Sequence, residues 1–397
     1  MALAVAPVGS FGSLAHRAGI YGLLAVVLVT ALAFVPGFAA ADNLSNVVTQ
    51  SAALGLVAIG QTFVIAGGLI DLSVGQLLGL SVVLSCALAE GRSELLLPVF
   101  AAMVAMGVAV GVVHGTLVNR LRIEPLILTF GTLSILQGLI FATTDRSVGQ
   151  APAELVWLAN GRLLGLPVAG AVLLLVALLA HLLLRHTRFG LRLLATGGDP
   201  ESARRAGVDV ARVRLLAFVL SGVGATLAGL LIAGRLGTGY PNAGQGFELD
   251  AIVAAVLGGT SLAGGRGTIA GTVAAVLLLG VISNVLNLLE VSAFVQTFAK
   301  GLIVVAAIVA TRARPGPAAW SLPATVAPRA GGRCTPSPVP AGRRRPRLSR
   351  AGRSCACWRS SMRSRSRCRT RFSSRSTSAT SCARRRRSAS PRSARRW

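Results

Sequence analysis

Apolar stretches long enough to cross a membrane recur along most of this chain, and they fix its class before any other feature is read. A spanning helix needs about 20 mostly apolar residues. Residues 18–40, 47–70, 72–89, 95–118, 125–143, 166–184, 215–234, 268–289 and 293–311 each qualify. A shorter apolar piece, 250–262, is open between a tilted or broken helix and a re-entrant segment. Lipid offers no hydrogen bonds to a backbone, so apolar segments of this length cross as helices. The expectation is an all-α polytopic membrane protein of nine or ten spans, with broken or re-entrant segments among them. One membrane domain covers residues 1–312.

Charge separates that domain from the C-terminal tail. Residues 1–312 hold 16 arginines, the single lysine and all 13 acids, a net of +4. Residues 313–397 hold 23 arginines and no acid, so most of the formal +27 lies there. Five of the six cysteines (334, 355, 357, 368 and 382) also fall in this tail, and only Cys86 lies in the membrane part. The tail has no apolar periodicity. It reads as disordered, as a basic segment for anionic lipid or nucleic acid, or as an out-of-frame extension of a GC-rich gene. It receives no function, and no nucleic-acid partner is expected.

Arginines also give the orientation, since loops on the cytoplasmic side are enriched in Lys and Arg. With ten spans and the N-terminus inside, twelve of the sixteen membrane-domain arginines face the cytoplasm; Arg92, Arg146, Arg162 and Arg235 face outward. Both termini are then cytoplasmic. The outer loops are short except 144–165 and 235–249, so a solute receptor would be a separate protein.

One inner loop stands out. Residues 185–214 contain a polar island, RFGLRLLATGGDPESARRAGVDVARVR (188–214), between two apolar segments. Asp199 suits a helix N-cap, Pro200 the first helical position, Glu201 the positive end of the dipole and Gly207 the C-terminal stop. Two turns of helix are too short to stand alone. Either the membrane domain or a partner's groove must hold this helix. A solvated loop helix is the plain alternative.

Glycines and polar residues interrupt the apolar segments at Gly60-Gln61-Thr62, Gly67-Gly68 and Gly258-Gly259-Thr260-Ser261 through Gly267. Unwound backbone at membrane depth is tolerated where protein or water covers it, and paired breaks point to a transport site. Helix packing is the competing explanation, and it suits Gly75-x-x-x-Gly79 and the Gly107, Gly111, Gly115 series. Asp71, beside the first break, either lines a pathway or caps the helix after it. Gln61, Asn119, Thr129, Gln137, Asn284 and Asn287 are pathway candidates that equally suit interhelical hydrogen bonds.

Some chemistry is excluded. A phosphate loop of the form G-x-x-x-x-G-K-[ST] needs a lysine that reaches the phosphates. The only lysine, Lys300, sits in an apolar run, so the chain is no ATPase. His114 has no second ligand at metal spacing, and no nucleophile–base pair is evident. An ion-coupled secondary transporter would want paired intramembrane acids, and Asp71 has no clear partner.

Four runs carry a family resemblance. Glu201-Ser202-Ala203-x3-Gly207 resembles the EAA-x3-G loop of ABC importer permeases, with Ser202 in place of the usual alanine. ATGGDPESARRAGVDVARVRLLAFVLSG (195–222), GGLIDLSVG (67–75), ELDAIVAAVLGGTSLAGGRGT (248–268) and NVLNLLEVSAFVQTFAKGLIVVAAI (284–308) are similar to the ribose/simple-sugar branch of that superfamily. The resemblance covers about residues 20–312; Gln76 and the arginine-rich tail depart from it. It implies a permease subunit in the cytoplasmic membrane that imports a simple sugar. It further implies a second permease copy, a periplasmic or lipid-anchored solute-binding protein, and separate ATPase subunits that hold ATP and Mg. No cofactor is expected in this chain. By position, Asp199, Pro200, Glu201, Ser202, Ala203 and Gly207 become the residues that couple it to the ATPase.

Overall fold

The computed structural model describes residues 11–163, 165–292 and scattered positions between 295 and 302. The expected span at 293–311 lies largely outside the described residues, and the 313–397 tail lies wholly outside them.

Among the described residues the fold is all-α apart from one hairpin of two two-residue strands. The helices are α1 (Phe11–Phe34), α2 (Ala41–Ala66), α3 (Val74–Ala89), α4 (Leu96–Arg120), α5 (Pro125–Thr143) and α6 (Ala153–Asn160). They continue as α7 (Val168–His186), α8 (Arg188–Gly198), α9 (Pro200–Arg205), α10 (Val210–Leu236), α11 (Phe247–Leu257) and α12 (Ile269–Leu288). Among the described residues, six helices are long and apolar enough to cross a membrane: α2, α4 with its leading 3-10 turn, α5, α7, α10 and α12. Gly19–Phe34 and α3 are shorter apolar helices. The 250–262 piece proves to be α11, whose 11 residues rise about 16 Å and so reach only part-way through the hydrocarbon.

α2 and α10 form the centre. They are the most buried of the long helices together with α12, whereas α4, α5 and α7 keep most of their apolar surface exposed. Such outward faces suit lipid, which accepts apolar side chains as readily as a core does. α10 packs against α4, α2 and α3. Small residues bring α4 and α10 backbone to backbone. A Cβ added at Gly107 would come 2.7 Å from the Gly222 carbonyl oxygen, and at Gly115 2.6 Å from Leu215 Cα. The packing explanation therefore holds for this glycine series.

The breaks are fewer than the glycine pattern predicts. α2 runs unbroken through Gly60-Gln61-Thr62 and ends at Ala66. Gly60 is a packing residue, because a Cβ there would sit 2.9 Å from Ser221 Cα on α10. Thr62 keeps its hydroxyl satisfied inside the helix, donating to the Ala58 carbonyl at 2.8 Å. The first real break is 67–73, and the second is 258–268, between α11 and α12. Beyond the spans, α6, the strand pair Arg162–Leu163 with Leu166–Pro167, and a bridge between Val148 and Gly239 order the long loop at 144–165.

Candidate coupling site and translocation core

The polar island folds as two helices. α8 was not legible as a separate element. The Thr187 hydroxyl caps it, accepting from the Gly190 amide at 3.3 Å. α8 buries Leu193, Thr196 and Gly197 and leaves Leu191 exposed.

α9 begins after Asp199, and both of its ends are closed by local hydrogen bonds. The Asp199 carboxylate accepts from the Glu201 amide at 3.0 Å and from the Ser202 hydroxyl. Those donors hold the Asp199 carboxyl below the usual carboxylate range, the Ser202 hydroxyl most of all. Pro200 occupies the first turn, where its missing N–H costs nothing. At the other end the Gly207 amide donates to the Arg204 carbonyl and the Val208 amide to the Ala203 carbonyl, both at 3.0 Å. This paired arrangement requires a left-handed residue, and Gly207 supplies it at φ +84°. Ala203 is the one buried residue of α9. Glu201 is exposed and pairs with Arg204 at 2.9 Å and Arg205 at 3.3 Å. The six loop residues singled out in the sequence thus form one unit: a capped helix, anchored by Ala203, with a charged outer surface.

The island also touches both chain breaks. Gly197, at the end of α8, lies against Gly68 of the first break and Gly264 of the second. The Gly265 amide donates to the Ala66 carbonyl at 3.0 Å, joining the second break to the end of α2. A Cβ at Gly197 would strike the Ala66 carbonyl oxygen and lie 2.7 Å from the Gly265 nitrogen. Backbone meets backbone here on three sides.

The first break also carries a buried polar cluster. Asp71 is 2% exposed and accepts from the Ser73 amide at 3.0 Å, the Ser73 hydroxyl at 2.6 Å and the Ser221 hydroxyl at 3.0 Å. It is not the cap residue of α3, which begins at Val74 with Ser73 in that position. Instead it locks the turn before α3 and ties it to α10. Gln61 is fully buried and donates to the Asp71 carbonyl, while its Oε1 has no partner among the described residues. The Thr129 hydroxyl donates to the Pro125 carbonyl at 2.9 Å and reaches the Ile70 carbonyl at 3.4 Å.

Two predicted residues stand apart. Asn119 closes the end of α4 onto α10, donating to the Ala211 carbonyl at 2.7 Å. Asn284 forms a reciprocal amide pair with Asn43, 2.8 and 2.9 Å, joining α12 to the start of α2. Sequence reasoning missed Ser221 and Ser73. It also missed the pairing of His114 with Thr132, 3.0 Å apart, which lies on neighbouring helices α4 and α5. Among the described residues, no group of His, Cys, Asp and Glu could hold a metal.

A bundle of apolar helices with two unwound breaks, packed through glycine backbone against the loop that carries a capped surface helix, fits a membrane permease. The chain belongs to the family of branched-chain amino acid transport system permease components, whose profile matches residues 43–310. Its role is therefore transport rather than catalysis, in a multi-pass membrane protein. It is 37% identical over 291 residues to the ribose import permease protein of Escherichia coli (strain K12), covering 72% of this chain and 90% of that one. It is 36% identical over 297 residues to the ribose import permease protein of Bacillus subtilis (strain 168), 73% and 91% covered. The L-arabinose transport system permease protein of Escherichia coli (strain K12) is 36% identical over 312 residues, 76% and 92% covered. No solved structure matches the chain.

Proposed function

We propose that this chain is the membrane-spanning subunit of an ATP-driven importer that carries a simple sugar, a ribose-like monosaccharide, across the cytoplasmic membrane. The family description names branched-chain amino acids, so membership alone does not choose the solute. The choice rests on relatives named for ribose and L-arabinose, which align with this chain over nine tenths of their length.

The observation that carries the coupling mechanism is α9: exposed, capped at both ends, and joined to α10 by a short turn at 206–209. Its charged face, Glu201, Arg204 and Arg205, is free to enter a groove on a cytoplasmic ATPase. Two copies of this chain would form the pathway, and two ATPase subunits would hold ATP and Mg. A periplasmic or lipid-anchored binding protein would deliver the sugar. Closure of the ATPases would push on residues 199–207, and α10 would carry the displacement to Ser221, Asp71 and the breaks. The N-terminus and the polar island lie on the cytoplasmic side in this reading. Asp71, Thr129 and Asn284 would act chiefly by holding helices, since each bonds to the protein, whereas Asn119 also lines a cavity at the end of α4. Gln61 keeps a free acceptor, Oε1, for a sugar hydroxyl. Affinity would reside mostly in the binding protein, which explains the absence of a strong solute-binding constellation in the sequence.

The test is reconstitution with the partner ATPase and binding protein in vesicles, following uptake of labelled ribose, arabinose and a branched-chain amino acid. Sugar uptake that needs ATP is expected, and in Gly207→Asp it should fall while ATP hydrolysis persists. Unchanged uptake in that variant would remove the coupling role from this loop. Uptake of the amino acid alone would overturn the sugar assignment.

A further inference from the structure

A cavity of about 820 Å³ opens where the end of α4 and the start of α5 meet the start of α10, beside α9 and residues 68 and 69 of the first break. Three arginines line it, Arg122, Arg204 and Arg214, against a single acid, Glu124. Neither Arg122, Arg214 nor Glu124 forms an ion pair among the described residues; Arg204 holds Glu201 on the outer face of α9.

Arg214 is the unusual member. Its Nε is buried without a hydrogen-bond partner, and the like charge of Arg204 adds repulsion. Arg214 is half-buried, and a guanidinium nitrogen that loses water without gaining a partner is unfavourable unless an anion comes to it. Arg122 adds a second cation: it follows the end of α4, is exposed and lines the cavity. The chain around the cavity is apolar and uncovered, with Leu121 at 63% exposed and Ile127 at 67%. The recess lies at the ends of the apolar helices α4, α5 and α10, and basic pockets at the ends of spans suit anionic headgroups.

We infer that this cavity is a binding site for the phosphate headgroup of an anionic phospholipid. The phosphodiester accepts hydrogen bonds from Arg214 and Arg122, and the acyl chains lie along Leu121 and Ile127. Glu124 limits the affinity by repulsion. The proposal does not depend on the identity of the transported solute.

The experiment uses the full chain in mild detergent and follows lipid binding by native mass spectrometry. Phosphatidylglycerol and phosphatidylcholine of matched acyl chains are compared. Preferential retention of phosphatidylglycerol is expected, weakened about fivefold by Arg122→Gln or by Arg214→Gln. Arg122 is exposed, so its variant carries the test even where loss of Arg214 impairs folding. Glu124→Gln should move affinity the other way. Equal retention of the two lipids, or no response to Arg122→Gln, would overturn the site. Full competition by millimolar inorganic phosphate would make it a site for soluble anions instead. Displacement of the lipid by the partner ATPase would give the cavity to the protein interface.

Discussion

The Ser221 hydroxyl of α10 donates to the Asp71 carboxylate at 3.0 Å, across 150 residues of sequence. That bond ties the helix after the surface loop to the break between α2 and α3. Asp71 is buried, so its carboxyl oxygens depend on a small set of donors: Ser73 amide, Ser73 hydroxyl and Ser221 hydroxyl. Ser221→Ala removes one and leaves the carboxylate short of a partner. A loss of about 1–3 kcal/mol in stability is expected. Thermal unfolding in detergent measures it, and an unchanged midpoint would show that the bond contributes nothing. Gly60 makes the contact possible, because a side chain there would push Ser221 away.

Two glycines of the surface loop should respond differently to the same small change. Gly197→Ala would drive a methyl group into the Ala66 carbonyl and the Gly265 amide. No rotamer relieves a Cβ clash with backbone, so a loss near the upper end of overpacking, about 3 kcal/mol, is expected. Gly207→Ala meets no atom within 4 Å and suffers only from its φ of +84°. That strain is worth about 1–2 kcal/mol. The predicted order of expression and melting temperature is wild type, Gly207→Ala, Gly197→Ala. A reversal would mean that the glycine junction is looser than its backbone contacts imply.

These contrasts show which parts of the fold are legible in sequence. The long spans are, because about 20 apolar residues leave few alternatives to a helix. The α9 caps are too, since Asp199, Pro200 and Gly207 act on neighbours within a turn or two. The role of Gly60 was not: a glycine that ends a helix and one that admits another backbone look alike in sequence, and only the position of Ser221 separates them. Ser221 itself gave no signal, because its partner lies 150 residues away. Asp71 was visible as an intramembrane acid, but not as the residue that holds Ser73 in place before α3. Asn284 was visible as a polar residue in a span, while its pairing with Asn43 fixes it as a helix-to-helix clamp.

Removal of residues 316–397 should leave membrane insertion and uptake unaltered. The family match ends at residue 310, and the removed segment carries no acid and no apolar periodicity. Uptake by cells expressing the shortened chain, normalised to its membrane level, tests this. Lost uptake at normal membrane level would give the tail a role in transport.

Acid should loosen α9 before it loosens the bundle. The Asp199 carboxyl lies below its ordinary value, chiefly through the Ser202 hydroxyl and then the backbone amides of Ser202 and Glu201. A depressed carboxyl stabilises the folded loop above the unfolded value, about 3.9 for aspartate, and that contribution disappears as pH falls through the lower folded value. Ser202→Ala removes the largest of these donors, so Asp199 should titrate at higher pH and the loop should fray at milder acidity. Carbon-13 NMR of the Asp199 carboxyl, with hydrogen exchange at the amides of 201–203, tracks both effects. An unchanged titration in Ser202→Ala would show that the backbone amides alone hold the charge. The cap of α9 would then rest on Asp199 and the main chain, with the Ser202 hydroxyl not needed for it.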